Sequence, residues 1–134
     1  MIQLSESQFQ VIPAGIQVFN IIGIEYKANL GTMKVTMATK DGLKHTETFR
    51  FKTKEGKTNQ GGINVFSYFA RTAFNNFSLQ EINEEELVGH YIKVLVEHDV
   101  QPNKNDPSKT VTFIRLKEFS PALGFDGADE LDEL

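Results

Sequence analysis

The sequence predicts an all-β domain with one helix, built as a small β-barrel. Three observations carry that prediction. Five runs of β-branched and aromatic residues are separated by turn chemistry. One phenylalanine-rich stretch repeats with the helical period. That stretch falls between the third and fourth runs. At 134 residues, one domain with a real core is expected.

Residues 1–12 are mixed in character and are expected to be irregular or a short edge element. Pro13-Ala14-Gly15 signals a turn. Ile16, Val18, Phe19, Ile21, Ile22, Ile24 and Tyr26 then form a first strand, long and interrupted by Gly23. A glycine inside a strand marks a bulge or sharp bend, which a strand shared by two halves of a barrel requires. Ala28-Asn29-Leu30-Gly31 makes a loop.

The second strand alternates Met33, Val35 and Met37 with Lys34, Thr36 and Ala38, and the third alternates Phe49 and Phe51 with Thr48, Arg50 and Lys52. Period two places the apolar set on one face and the cationic set on the other. Asp41-Gly42 between them predicts a two-residue hairpin turn, since glycine accepts the positive φ such turns need. Residues 26–57 carry eight bases (Lys27, Lys34, Lys40, Lys44, Arg50, Lys52, Lys54, Lys57) against three acids (Asp41, Glu47, Glu55). That local balance of +5 stands in a chain whose net charge is −4. A hairpin with an apolar back and a basic front suits a polyanion, and a solvated outer face is the plainer account of the same pattern.

Residues 53–63 form a polar, glycine-rich connection. Gly56-Lys57-Thr58 is not a phosphate-binding loop, because Phe51 stands where its first glycine is required. Asn64 is the expected helix cap. Val65, Phe66, Phe69, Ala70, Ala73, Phe74 and Phe77 then fall on one helical face, which is expected to plug or cover a barrel end. Asn75-Asn76 ends the helix. Asn83 caps a short turn with Glu86 as its capping-box partner, closed by Gly89. Helix-start chemistry accounts for these acids better than a metal site does.

The fourth strand, 90–100, places Ile92, Val94 and Val96 on one face and Tyr91, Lys93, Leu95 and Glu97 on the other. The 101–108 segment is a flexible loop, and 109–119 is the last strand. Residues 120–134 hold five acids and no base, leaving +1 on the body. This tail is too polar and short to bury itself and is expected to be disordered. The predicted organisation is therefore a domain over 1–119 and an acidic C-terminal tail over 120–134.

The order strand, strand, strand, helix, strand, strand is that of the OB-fold, a five-stranded Greek-key barrel with its helix between strands 3 and 4. With that order in place, the chain resembles the single-stranded DNA-binding proteins of bacteriophages. The likeness lies in the Pro13-Ala14-Gly15 lead into strand one, the Gly31 loop, the Asp41-Gly42 hairpin, the Leu87-Val88-Gly89-His90 lead into strand four, and the acidic tail. It covers nearly the whole chain as a layout, without one specific motif. It implies a DNA-binding OB domain serving phage DNA replication and recombination, with a tail that recruits replication and recombination proteins of the phage or its host. The tail ends Asp129-Glu130-Leu131-Asp132-Glu133-Leu134, which departs from the bacterial ending of aspartates followed by Ile-Pro-Phe.

The expected function is sequence-independent binding of single-stranded DNA. Phosphates run along Lys27, Lys34, Lys44, Arg50, Lys52 and Lys54, with Lys93 beside them, and bases stack on Tyr26 and Tyr91. Phe19 is a further ring if Val18 points inward, while Phe49 and Phe51 are expected in the core. A modest basic excess and the absence of Trp lead us to expect a homo-oligomer, for instance a dimer. The rival class is an OB module for protein interaction or virion structure, which would show an apolar patch on strands one to three. RNA stays open as the ligand. An enzyme is the weakest reading, since His45, His90 and His98 lie in separate regions without a nucleophile or a carboxylate pair. No cofactor or metal is expected. The absence of cysteine excludes disulfides and thiolate metal sites. With no signal-peptide pattern and no apolar run of membrane length, the expected location is the cytoplasm, that of the host cell if phage-encoded.

Overall fold

β1 (Gly15–Lys27) is the axis of the molecule, because its two halves serve different partners. Residues 15–20 pair with β4 (Tyr91–Pro102), and residues 20–27 pair with β2 (Thr32–Ala38). β3 (Lys44–Arg50) completes one wing and β5 (Thr110–Ala122) the other. The result is one antiparallel sheet in the order β3-β2-β1-β4-β5. This computed structural model describes residues 11–125. The predicted tail residues Asp129 to Leu134 lie outside the described residues.

The strand inventory and the position of the helix follow the sequence reading. The closed barrel does not: among the described residues no pairing joins β3 to β5, and the sheet stays open along that seam. β5 also runs three residues beyond the predicted strand end at 119, with Ser120, Pro121 and Ala122 opposite Lys93, Ile92 and Tyr91.

The bend predicted around Gly23 is present. The β1–β2 register shifts between Ile21 and Gly23, so Ile22 is the extra residue of a bulge. The hairpin turn is longer than predicted. Thr39 N donates to Leu43 O and Gly42 N donates to Thr39 O, closing a three-residue loop, Lys40-Asp41-Gly42. Gly42 sits at φ 86°, the left-handed position that such loops reserve for glycine.

Helix α1 spans Gln60–Ala73 and is capped by Asn59 rather than Asn64, since the Asn59 side chain accepts from Gly62 N. Of the two glycines in its first turn, Gly62 has a steric reason. A β-carbon at Gly62 would lie 1.8 Å from the Arg50 carbonyl oxygen. The same carbonyl accepts from Asn59 Nδ2 at 3.0 Å, so the helix start is bolted to the end of β3.

The buried face of α1 carries Phe66, Phe69, Ala70 and Ala73; Val65 and Phe77, predicted for that face, are exposed. The Phe69 centroid is 5.2 Å from Phe49 of β3 and 5.2 Å from Phe119 of β5. One helical side chain thus spans the seam that no backbone ladder crosses. The rest of the core comes from the inward positions of β1, β2 and β4: Phe19, Ile21, Met33, Val35, Met37, Ile92, Val94 and Val96. Burying side chains of this size contributes about 1.5–3 kcal/mol each, before the entropy of ordering them. A 3-10 turn at Glu84–Leu87, capped by Asn83, drives Leu87 into the core. The Asn83 side chain accepts from Glu85 N.

Beyond Val96, β4 and β5 leave the sheet as a two-stranded arm. Gln101 and Pro102 belong to its strands, so the connecting loop is 103–109 rather than 101–108. Asn103 Oδ1 accepts from Asn105 N, and Asp106 Oδ1 accepts from Ser108 N. Among the described residues no helix is long and apolar enough to cross a membrane.

Candidate nucleic-acid interface

Strand register decides which predicted residues share a face. Met33, Val35 and Met37 point into the core, so their neighbours on β2 point outward. Across the ladder, Thr32 opposes Arg50, Lys34 opposes Thr48, Thr36 opposes Thr46, and Ala38 opposes Lys44. On the other side, Lys27 opposes Thr32, Glu25 opposes Lys34, and Asn20 opposes Ala38. Lys27, Lys34, Lys44 and Arg50 therefore stand together on the outer face of β1–β3, all of them exposed. Between the lysines the face is lined by threonines, with Thr36 Oγ1 and Thr46 Oγ1 3.1 Å apart.

The basic strip continues past the end of β3. Leu30, Thr32, Arg50, Lys52, Thr53, Lys54 and Asn59 line one open groove. Its wall is fixed by backbone contacts: Phe51 N donates to Gly31 O, and Asn59 N donates to Phe51 O. Gly31 is buried at φ 65° with the Lys52 stem laid over it. Lys52 Nζ reaches Ala28 O at 3.4 Å, which ties the cation to the loop after β1.

The other wing joins the same face. Asn20 opposes Tyr91, and Val18 opposes Lys93. One row therefore runs Lys44, Ala38, Asn20, Tyr91 and Ala122 across all five strands. Tyr91 and Lys93 are half-buried there, and the Tyr91 ring meets Phe125 edge-on at 5.1 Å. Beside Tyr91, Asn20 Oδ1 is buried without a hydrogen-bond partner.

Two of the predicted rings are placed elsewhere. Phe19 is fully buried, opposite the core residue Ile92. Tyr26 opposes the core residue Met33, not a member of the basic face. It stays 46% exposed because it lies at the rim, with its ring 6.0 Å from Phe51. The bulge at Ile22 is the cause, since one extra residue reverses the side on which each later β1 residue falls. Phe49 is in the core as expected, and Phe51 is half-buried against Phe66.

The sequence reading also missed an acid within the face. Glu25 lies opposite Lys34 and contacts Lys27 Nζ at 3.0 Å. The hydrogen bond and charge of Lys27, helped by Lys34, hold its carboxyl below the ordinary carboxylate range. Counting charge from Tyr26 onward leaves Glu25 out, though its i, i+2 spacing to Lys27 on a strand is the signal that places both on one face.

The arrangement presents fixed point charges, hydroxyls and a half-buried ring along a surface open to a long ligand. Phosphate groups are its natural chemical match. No protein-family model matches the chain, and a search of curated proteins finds no match.

Proposed function

We propose that the protein binds single-stranded DNA without sequence preference, as an OB-type binder in phage replication or recombination. One observation carries the reading: Lys34, Lys44 and Arg50 share an outer face that runs into the groove of Lys52 and Lys54. A single strand laid along it places phosphates on the cations, and Tyr91 supplies a ring for a base. The threonine-rich surface of β2 and β3 supports this reading over an apolar protein-docking face at that position. Contacts to phosphates carry no sequence information, which makes the binding sequence-independent.

The OB assignment is part of the same proposal. A long, bulged β1 shared by two wings, with the helix before β4, matches an OB barrel opened along the β3–β5 seam. The acidic tail, Asp129 to Leu134, is the proposed recruiter of replication and recombination partners. The protein acts as a binding protein in the host cytoplasm, not as an enzyme. Chemical-shift mapping with an oligothymidine tests the site. The proposal expects shifts centred on Lys34, Lys44, Arg50 and Lys52. Shifts centred on α1 instead would remove it.

A further inference from the structure

The open seam between β3 and β5 has the makings of a second site. Alternating antiparallel pairs make β3, β1 and β5 run in one direction and β2 and β4 in the other. The two strands that border the seam are thus parallel to each other. Each is an edge strand of the sheet. An edge strand presents a row of backbone donors and acceptors to any extended chain beside it. Past Arg50 the edge of β3 is blunted by its own chain, through the Lys52–Thr58 bridge and the Thr53 N to Lys57 O bond. At Arg50 the carbonyl is taken by Asn59 Nδ2, and no bridge covers the edge along residues 44–48.

A cleft follows that seam, lined by Glu47, Thr48, Phe49 and Arg50 of β3, Gly62 and Val65 of α1, and Leu116, Lys117 and Phe119 of β5. Its apolar lining is continuous with an exposed patch on the helix. Val65 and Tyr68 are 51% and 49% exposed, and Tyr68 lies 6.2 Å from Phe77, itself 54% exposed. The Tyr68 hydroxyl donates to Phe119 O, which holds the patch against β5. Exposed apolar surface beside open strand edges marks an interaction site.

Charge selects the occupant. Arg50 and Lys117 stand on opposite walls of the cleft. Lys117 makes a loose contact to Glu97 at 3.9 Å, with both side chains about half exposed. The acid in the cleft, Glu47, is engaged by His45 at 3.2 Å. A second copy is a poor fit, because two-fold antiparallel pairing of β5 about this stretch sets Lys117 against Lys117 or Glu118 against Glu118.

We infer that the seam is a docking strip for an extended peptide of a partner protein in which apolar residues alternate with acids. The peptide lies antiparallel to both β3 and β5 as an added strand. Its apolar side chains meet Phe49, Val65, Leu116 and Phe119, and its acids meet Arg50 and Lys117. Strand addition of this kind draws affinity from the backbone and specificity from alternate side chains. The site shares Arg50 with the outer basic face, its other lining residues are its own, and it does not depend on DNA binding.

The test titrates ¹⁵N-labelled protein, without DNA, with a capped octapeptide of alternating leucine and glutamate. The leucine–lysine counterpart is the control. The inference expects saturable amide shifts at residues 47–50 and 116–119. It expects binding at least fivefold weaker for the lysine peptide, and for the Lys117→Glu and Val65→Glu variants with the acidic peptide. Both substitutions are at exposed positions and spare Arg50, which also lines the basic groove. Both variants therefore keep their affinity for single-stranded DNA. Equal binding of the two peptides, or no shift at those amides at millimolar peptide, overturns the inference. Concentration-dependent shifts of the same amides without peptide would assign the strip to a second copy and equally overturn it.

Discussion

Neutralising Arg50 and Lys52 together is the perturbation whose size the geometry defines best. Six cations line the proposed path: Lys27, Lys34, Lys44, Arg50, Lys52 and Lys54. Lys27 is engaged by Glu25, so about five act on phosphates. Each phosphate neutralised on a single strand adds about −0.7 to the slope of log K against log salt, which gives about −3.5 for the parent protein. The double variant Arg50→Gln, Lys52→Gln removes two contacts and brings the slope to about −2.1. Relative to 1 M salt, two contacts are worth about 14-fold in affinity at 0.15 M, so the variant binds roughly tenfold more weakly there. Glutamine keeps most of each aliphatic stem, including the part of Lys52 that covers Gly31. Both positions are exposed, so thermal stability changes by less than about 0.5 kcal/mol each. Fluorescence anisotropy of a labelled oligothymidine over a roughly tenfold range of salt, from about 0.05 M to about 0.5 M, reads both the slope and the affinity. A variant that folds normally and keeps the parent slope would refute the phosphate path.

Further outcomes follow from individual contacts. Gly62→Ala costs about 3 kcal/mol in urea denaturation, because its methyl meets the Arg50 carbonyl. Gly61→Ala, whose methyl comes no closer than 3.6 Å to Asn59 Oδ1, gains about 0.5–1 kcal/mol from reduced chain entropy. Phe69→Ala loses about 3–5 kcal/mol, since the ring is fully buried and bridges β3 and β5. Glu25→Gln strengthens DNA binding at neutral pH by removing an anion from the basic face. Because Lys27 lowers the Glu25 carboxyl in the folded protein, its ionised form and the contact to Lys27 persist down through the ordinary carboxylate range and are lost only as pH falls through the lowered value. The parent and Glu25→Gln affinities therefore converge only in acid, which a pH series of the anisotropy titration checks.

How much is legible in the sequence depends on the range of the interaction involved. Period-two alternation in β2 and β4 depends only on neighbours, and it correctly places Met33, Val35, Met37, Ile92, Val94 and Val96 in the core. Lys34, Lys44 and Arg50 come out on one face for the same reason. In β1 the alternation breaks. Gly23 announces a bulge, the residue that takes the extra place is Ile22, and the one-residue insertion reverses the facing of Tyr26. The helix start is hidden because Gly61 and Gly62 read as loop. The reason at Gly62 is a contact with Arg50 across the fold, which local propensity does not contain. The open β3–β5 seam is illegible on the same ground, since it concerns strands separated by a helix and two further elements. Periodicity alone puts the exposed Val65 and Phe77 on the core face, and only the packing of Phe69 between β3 and β5 shows which side of the helix the core occupies.

The central claim is that this protein prefers a single strand over a duplex through a phosphate-tracking face. Anisotropy titration of one labelled oligonucleotide at several salt concentrations, with its matched duplex as competitor, tests it most directly. The account predicts saturable, salt-sensitive binding that the duplex competes for poorly. Equal competition by the duplex, or no binding at low salt with and without residues 126–134, would contradict it.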